Sequence, residues 1–118
     1  MKVSSISQLK NGIEKILYKN KAKEIEIINL ENKSSFADFM IIASGNSSRH
    51  IQALSEMVLN FIKKNGVENS RIEGKESKEW KLIDGIDVVV HIFHPEKRKF
   101  YDLEKMWSEL TPQERITL

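Results

Sequence analysis

The run Asp38 to Ser44 constrains the fold more than any other stretch. Read as an extended chain, it puts Phe39, Ile41 and Ala43 on one face and Met40 and Ile42 on the other. With no polar side, it must be covered above and below, which predicts a strand in the interior of a sheet. The segments around it supply what such a strand needs. Ser7 is the expected N-cap of a first helix to about Asn20, with Leu9, Ile13, Ile16 and Leu17 as its apolar stripe and Gly12 weakening it slightly. From Glu24 to Leu30, Ile25 and Ile27 alternate with Glu24 and Glu26, the pattern of a half-buried strand. Ser47 or Ser48 caps the longest helix, which runs to about Asn65 with Ile51, Leu54, Val58, Phe61 and Ile62 inward and Gly66 as its stop.

Arg71 to Gly74 reads as a short strand, and Lys75 to Glu79 as a charged turn. Beyond it lies WKLIDGIDVVVHIFHPEKRKFYDLEKMW, bracketed by Trp80 and Trp107. Here a short strand carries Trp80, Leu82 and Asp84 on one face, and Gly85 turns into a strongly apolar strand over Asp87 to Phe93. A helix follows Pro95, with Phe100, Leu103, Trp107 and Leu110 along its buried seam. The step from the Phe39 strand through the long helix to the Arg71 strand reads as a right-handed βαβ crossover, and the remaining strand connections as hairpins. The expected fold is a single α/β domain over residues 1–118, a mixed sheet of about five strands with helices packed on it, in the order αβ-βαβ-ββα.

A length of 118 residues suits one hydrophobic core and not two. No apolar run approaches a membrane span, and no basic segment leads into an apolar one at the N-terminus, so the expected location is the cytoplasm. The absence of cysteine excludes disulfides and thiolate metal sites. With 19 basic against 17 acidic residues, the net charge of +2 is too small for a dedicated phosphate-backbone binder.

Three groups of residues offer chemistry. The loop Ser44 to Ser48, SGNSS, joins a buried strand to a helix N-terminus, where free amides could hold an anion. It lacks the spacing of a P-loop or a dinucleotide fingerprint, and the same residues make an ordinary capped turn. A nucleotidyl transferase with such a loop would need a pair of acids on an adjacent strand for two metal ions; Arg71, Ile72 and Glu73 offer none. His91 and His94 fall on opposite faces of an extended chain, so they do not form a metal pair. His91 reads as a hydrogen-bonded structural or interface histidine and His94 as a helix N-cap before Pro95, while His50 rides the first turn of the long helix. Trp80 is either covered by the C-terminal segment or is the anchor of a protein-binding patch with Leu82, rimmed by Asp84. Lys19, Lys21 and Lys23, with Lys97, Arg98 and Lys99, are solvated charge runs or a minor RNA contact, and self-pairing of an apolar face would give a homodimer.

Four ordered blocks, ADFMIIASGNSSRHIQAL from Ala37, RIEGKESKEWKLID from Arg71, DVVVHIF from Asp87 and FYDLEKMW from Phe100, resemble the Iojap or RsfS-type ribosomal silencing factors over roughly Ala22 to Leu110. The sequence departs from that pattern at Gly85-Ile86, where an aromatic followed by glycine is expected, and at Phe39, which replaces a usual tyrosine. The resemblance implies a nucleotidyltransferase-like fold without transferase chemistry or a cofactor. It also implies binding to protein fourteen of the large ribosomal subunit at the inter-subunit face, which obstructs subunit joining and represses translation. Carried over by position, the contact centre is Trp80, Leu82 and Asp84, with Lys81, His91 and Tyr101 alongside.

Overall fold

Phe39–Ser44 forms a strand with all six residues buried, hydrogen-bonded along both edges. The computed structural model describes residues 6–31, 37–74 and 79–96. Its elements are α1 (Ile6–Lys19), β1 (Lys23–Asn29), β2 (Phe39–Ser44), α2 (Ser48–Lys64), β3 (Arg71–Glu73), β4 (Trp80–Asp84) and β5 (Val88–Phe93). The helical seam expected from Phe100 to Leu110 lies outside the described residues, as does most of the charged turn before Trp80. The five strands form one mixed sheet in the order β1-β2-β5-β4-β3. β2 runs antiparallel to β1 and parallel to β5, and the pairs β4 with β5 and β3 with β4 are antiparallel.

The crossover differs from the simplest βαβ reading. β3 does run parallel to β2, but β5 and β4 lie between them. β5, with six buried residues, gains most from the place beside β2. β3 has three residues and exposes Arg71 and Glu73, which suits an edge.

Both helices pack on one face of the sheet. Leu9, Ile13 and Leu17 of α1 and Ile51, Leu54, Val58 and Ile62 of α2 close over Phe39, Ile41, Ala43, Ile83, Val88, Val90 and Ile92. Gly12 has a packing reason: a Cβ there would lie 2.2 Å from Cζ of Phe61, so the close approach of the two helices depends on its absence. The first helix already includes Ile6, which puts Ser7 inside it and not at its cap. α2 begins as expected, with Ser47 Oγ accepting from the His50 amide at 3.1 Å.

Both helices end in the same motif. In α2 the amides of Gly66 and Val67 donate to the Lys63 and Ile62 carbonyls; in α1 those of Lys21 and Ala22 donate to Tyr18 and Leu17. The left-handed position holds Gly66 (φ 104) in one and Lys21 (φ 67) in the other.

The β4–β5 hairpin turns at Gly85 as expected, but Ile86 takes the positive φ of 72. Asp84 Oδ1 accepts from the Ile86 amide at 2.9 Å, and Gly85 lacks a Cβ where one would meet the Val88 carbonyl oxygen at 2.8 Å. On the sheet's other face Leu30, Met40, Ile42 and Phe93 form a second buried cluster, against which Ile28 and Trp80 pack.

Candidate protein-binding face

Alternation along β4 decides what this face contains. Trp80, Leu82 and Asp84 are half-buried and point away from the helices, whereas Lys81 and Ile83 are buried on the helix side. Lys81 therefore stands apart from the group in which the resemblance places it. It is only 3% exposed, and its Nζ donates to the Gly74 carbonyl at 3.1 Å. Tyr101 lies outside the described residues.

The hairpin register places Trp80 opposite Phe93, Leu82 opposite His91 and Asp84 opposite Val89. On the outer side, Leu82 faces Glu73 and Asp84 faces Arg71. Three rings stack as a result. The Trp80 indole lies 5.3 Å from the Phe93 ring and 5.9 Å from the His91 ring, at interplanar angles of 9° and 13°. Trp80 Nε1–H also donates to His91 Nδ1 at 3.1 Å.

That bond fixes the histidine's state. An imidazole accepting at Nδ1 carries its single proton on Nε2 and is uncharged. Burial acts in the same direction: desolvation lowers the His91 pKa from 6.5 to about 4. The structural reading of His91 thus has a specific form, a neutral acceptor that pins the indole. The face is graded from β5 to the sheet edge. Phe93 and His91 are buried, Trp80, Leu82 and Asp84 are half-exposed, and Arg71 and Glu73 form an exposed ion pair of 3.0 Å at the rim.

Phe93, Arg71 and Glu73 are the members that sequence reading leaves out. A hairpin with its turn over Gly85 to Val88 brings Phe93 in, because that register sets Phe93 across from Trp80, whereas one centred on Ile86 would set Ile92 there.

The Ser44 to Ser48 loop is arranged differently. Its Gly45 amide donates to the Phe93 carbonyl at 2.9 Å, and its Asn46 amide to His50 Nδ1 at 2.9 Å. Ser47 Oγ occupies the His50 amide. His50 Nε2 in turn meets the Asn20 carbonyl at 2.8 Å, which joins this loop to the end of α1. Three amides that could face an anion are thus engaged within the protein. His94 Nδ1 accepts from the Glu96 amide at 3.4 Å, as an N-cap does. Among the described residues, no group of three or more His, Cys, Asp or Glu side chains could hold a metal ion.

A mixed five-stranded sheet with two helices on one face, and a ring-stacked, half-exposed edge on the other, defines a small α/β domain whose candidate site is a surface and not a cleft. The family model described as ribosomal silencing factor during starvation matches residues 3–117. The ribosomal silencing factor RsfS of Zymomonas mobilis is 46% identical over 89 residues, covering 75% of this chain and 67% of that protein. The crystal structure of a Chromobacterium violaceum protein superposes with a TM-score of 0.82 at 35% identity, over 92% of this chain and 90% of that one. A mouse protein named mitochondrial assembly of ribosomal large subunit protein 1 is 30% identical over 96 residues, 79% of this chain and 42% of that protein. This chain belongs to the RsfS family of ribosomal silencing factors.

Proposed function

We propose that this chain silences ribosomes by seating on the large subunit at its inter-subunit face, where protein fourteen is its partner, and by excluding the small subunit from the same space. The observation that carries the reading is the pinned, half-exposed Trp80 beside Leu82, with the Arg71–Glu73 pair and Asp84 at the rim. An aromatic centre with a charged border is the usual anatomy of a protein-binding hot spot. Family membership supports a ribosomal partner, and the name of the mouse relative points to the large subunit. The cytoplasm, where subunits join, is the corresponding location.

No catalysis is needed. A bound body subtracts from subunit association by mass action, roughly as RT ln(1 + [L]/Kd), and an interface on the order of 1,600 Å² in total is enough for specific binding. The engaged amides of the Ser44 to Ser48 loop favour this over the nucleotide-handling alternative.

Co-sedimentation with purified large subunits, followed by addition of small subunits on a sucrose gradient, tests partner and mechanism together. The intact chain moves with the large subunit and reduces the joined peak. Leu82→Ser, which leaves the ring stack in place, binds at least tenfold more weakly, a drop within the range of a hot-spot truncation, ~1–2 kcal/mol or more. Subunits that join normally at saturating concentrations of the chain overturn the proposal.

A further inference from the structure

The end of α1, the start of β1 and the first turn of α2 meet at one corner of the molecule. His50 ties them, with Nδ1 accepting from the Asn46 amide and Nε2 meeting the Asn20 carbonyl. Lys23 lies opposite Ser44 in the β1–β2 register. Lys19, Lys21, Lys23 and Arg49 are all exposed here. Among the described residues the ion pair found is Arg71–Glu73, so none of these four cations is neutralised by a carboxylate of the described fold. Lys15 to Lys23 contains no acidic residue, and Glu24 is the first to follow. Within that run Tyr18 stands 80% exposed.

Lys21 adds a second kind of evidence. It occupies the left-handed position that α2 gives to Gly66, in the same capping motif. A β-carbon is disfavoured there, so a lysine holds the position against the local backbone preference. Of the three described non-glycine residues with positive φ, Lys21, Glu24 and Ile86, Lys21 is the cation, and its place in a capping motif is explained if that charge has a use.

We propose that this corner is a second contact surface, one that grips the phosphate backbone of large-subunit ribosomal RNA while the Trp80 face holds the protein partner. The inference rests on the reading that the chain seats on the large subunit. Exposed lysines around a helix-to-strand turn, without a carboxylate partner among the described residues and with an exposed ring beside them, match a phosphate backbone and the sugar or base edge next to it. A docked protein would call for an apolar centre that the four cations do not enclose. The corner sits at the β1 edge on the helix side, whereas Trp80 is on β4 and points to the other side. Three strand spacings, about 14 Å at ~4.8 Å each, separate the two strands, so both surfaces are free to engage at once. The small net charge of +2 fits an RNA contact that supplements a protein contact.

Binding of the full chain to purified large subunits is measured from about 50 to 300 mM salt. For each phosphate contact removed, the slope of log K against log[salt] falls by about 0.9 and affinity at ~0.1 M salt drops by roughly tenfold. The triple variant Lys19→Gln, Lys21→Gln, Lys23→Gln is expected to lower the slope by about 2 to 3 on that scale. Lys21→Gly alone is expected to raise Tm by a few degrees while lowering the slope, a combination a purely structural lysine would not give. A photoreactive phenylalanine analogue at position 18 is expected to cross-link to RNA. An unchanged slope in the triple variant, or a cross-link to a ribosomal protein in place of RNA, overturns the proposal. Leu82→Ser separates the two readings, since it weakens binding at unchanged slope. If Leu82→Ser binds like the intact chain, the Trp80 face fails and the corner does not.

Discussion

Acid should destabilise this protein through His91 in a way that one substitution isolates. Burial lowers the folded-state pKa of His91 from 6.5 to about 4, and the Trp80 Nε1–H needs its Nδ1 unprotonated. The unfolded chain carries an ordinary histidine. Above about pH 7 neither state binds the proton, and the contribution is complete. As pH falls through 6.5 the unfolded state is protonated first, so stability declines until the folded state also binds near pH 4. Each pH unit in that window removes ~1.4 kcal/mol, which gives about 2 kcal/mol between pH 7 and 5 and about 3 by pH 4. His91→Gln keeps an acceptor for the indole and does not titrate. Urea unfolding followed by tryptophan fluorescence at pH 7, 6 and 5 measures both proteins, and carboxylates common to the two cancel in the difference. The intact chain should lose about 2 kcal/mol more than His91→Gln between pH 7 and 5. Parallel pH dependences would refute the neutral, buried histidine.

Three further outcomes test the fold. Gly12→Ala should destabilise by ~1–3 kcal/mol in spite of alanine's higher helix propensity, because the new methyl meets the Phe61 ring; thermal unfolding reads this, and Phe61→Leu added to it should recover part of the loss. Ile86→Gly should stabilise by up to about 1 kcal/mol, since a β-branched residue at φ 72 is replaced by one that adopts it freely. Ser47→Ala should cost about 1 kcal/mol by removing the acceptor for the His50 amide, with urea midpoints as the measure.

Much of this architecture is legible in the sequence because burial leaves a period. The double-sided apolarity of Phe39–Ser44 gives an interior strand, and the stripe on Ser48–Lys64 with Ser47 before and Gly66 after gives a capped helix. The family's four blocks add the identity, which the matched residues 3–117 bear out. What the pattern cannot carry is adjacency between elements distant in sequence. The βαβ periodicity is the same whether β3 lies beside β2 or has two strands between, and the choice is made by which strand has more apolar surface to cover. The turn at Gly85-Ile86 is illegible for a related reason. Glycine ordinarily marks the positive-φ position, but here it marks a close approach to Val88, and the left-handed position falls to its neighbour. Within the site, Trp80, Leu82 and Asp84 follow from a period of two. The resemblance places Lys81 alongside them by position, and that same period sends it to the other face.

The proposed contact at the Trp80 face would meet a partner with its order already set. A half-exposed tryptophan usually loses side-chain freedom on docking, at a cost of ~0.5–1.5 kcal/mol for an immobilised side chain. Here the indole is already stacked on Phe93 and hydrogen-bonded to His91. β4 beneath it is paired with β5 on one side and β3 on the other, and Ile83 on its reverse is locked into the helix-side core. The ring therefore presents a fixed edge, and most of its rotamer entropy was lost on folding. His91 links the two properties, since the proton that would break its bond to Trp80 is the one that burial disfavours. Trp80→Ala is for that reason a poor test of the interface: it removes the contact and leaves a buried acceptor without its donor, so lost binding and lost stability arrive together. Leu82 lies on the same face without a role in the stack, and binding lost on its truncation with the unfolding midpoint unchanged would trace the loss to the interface itself.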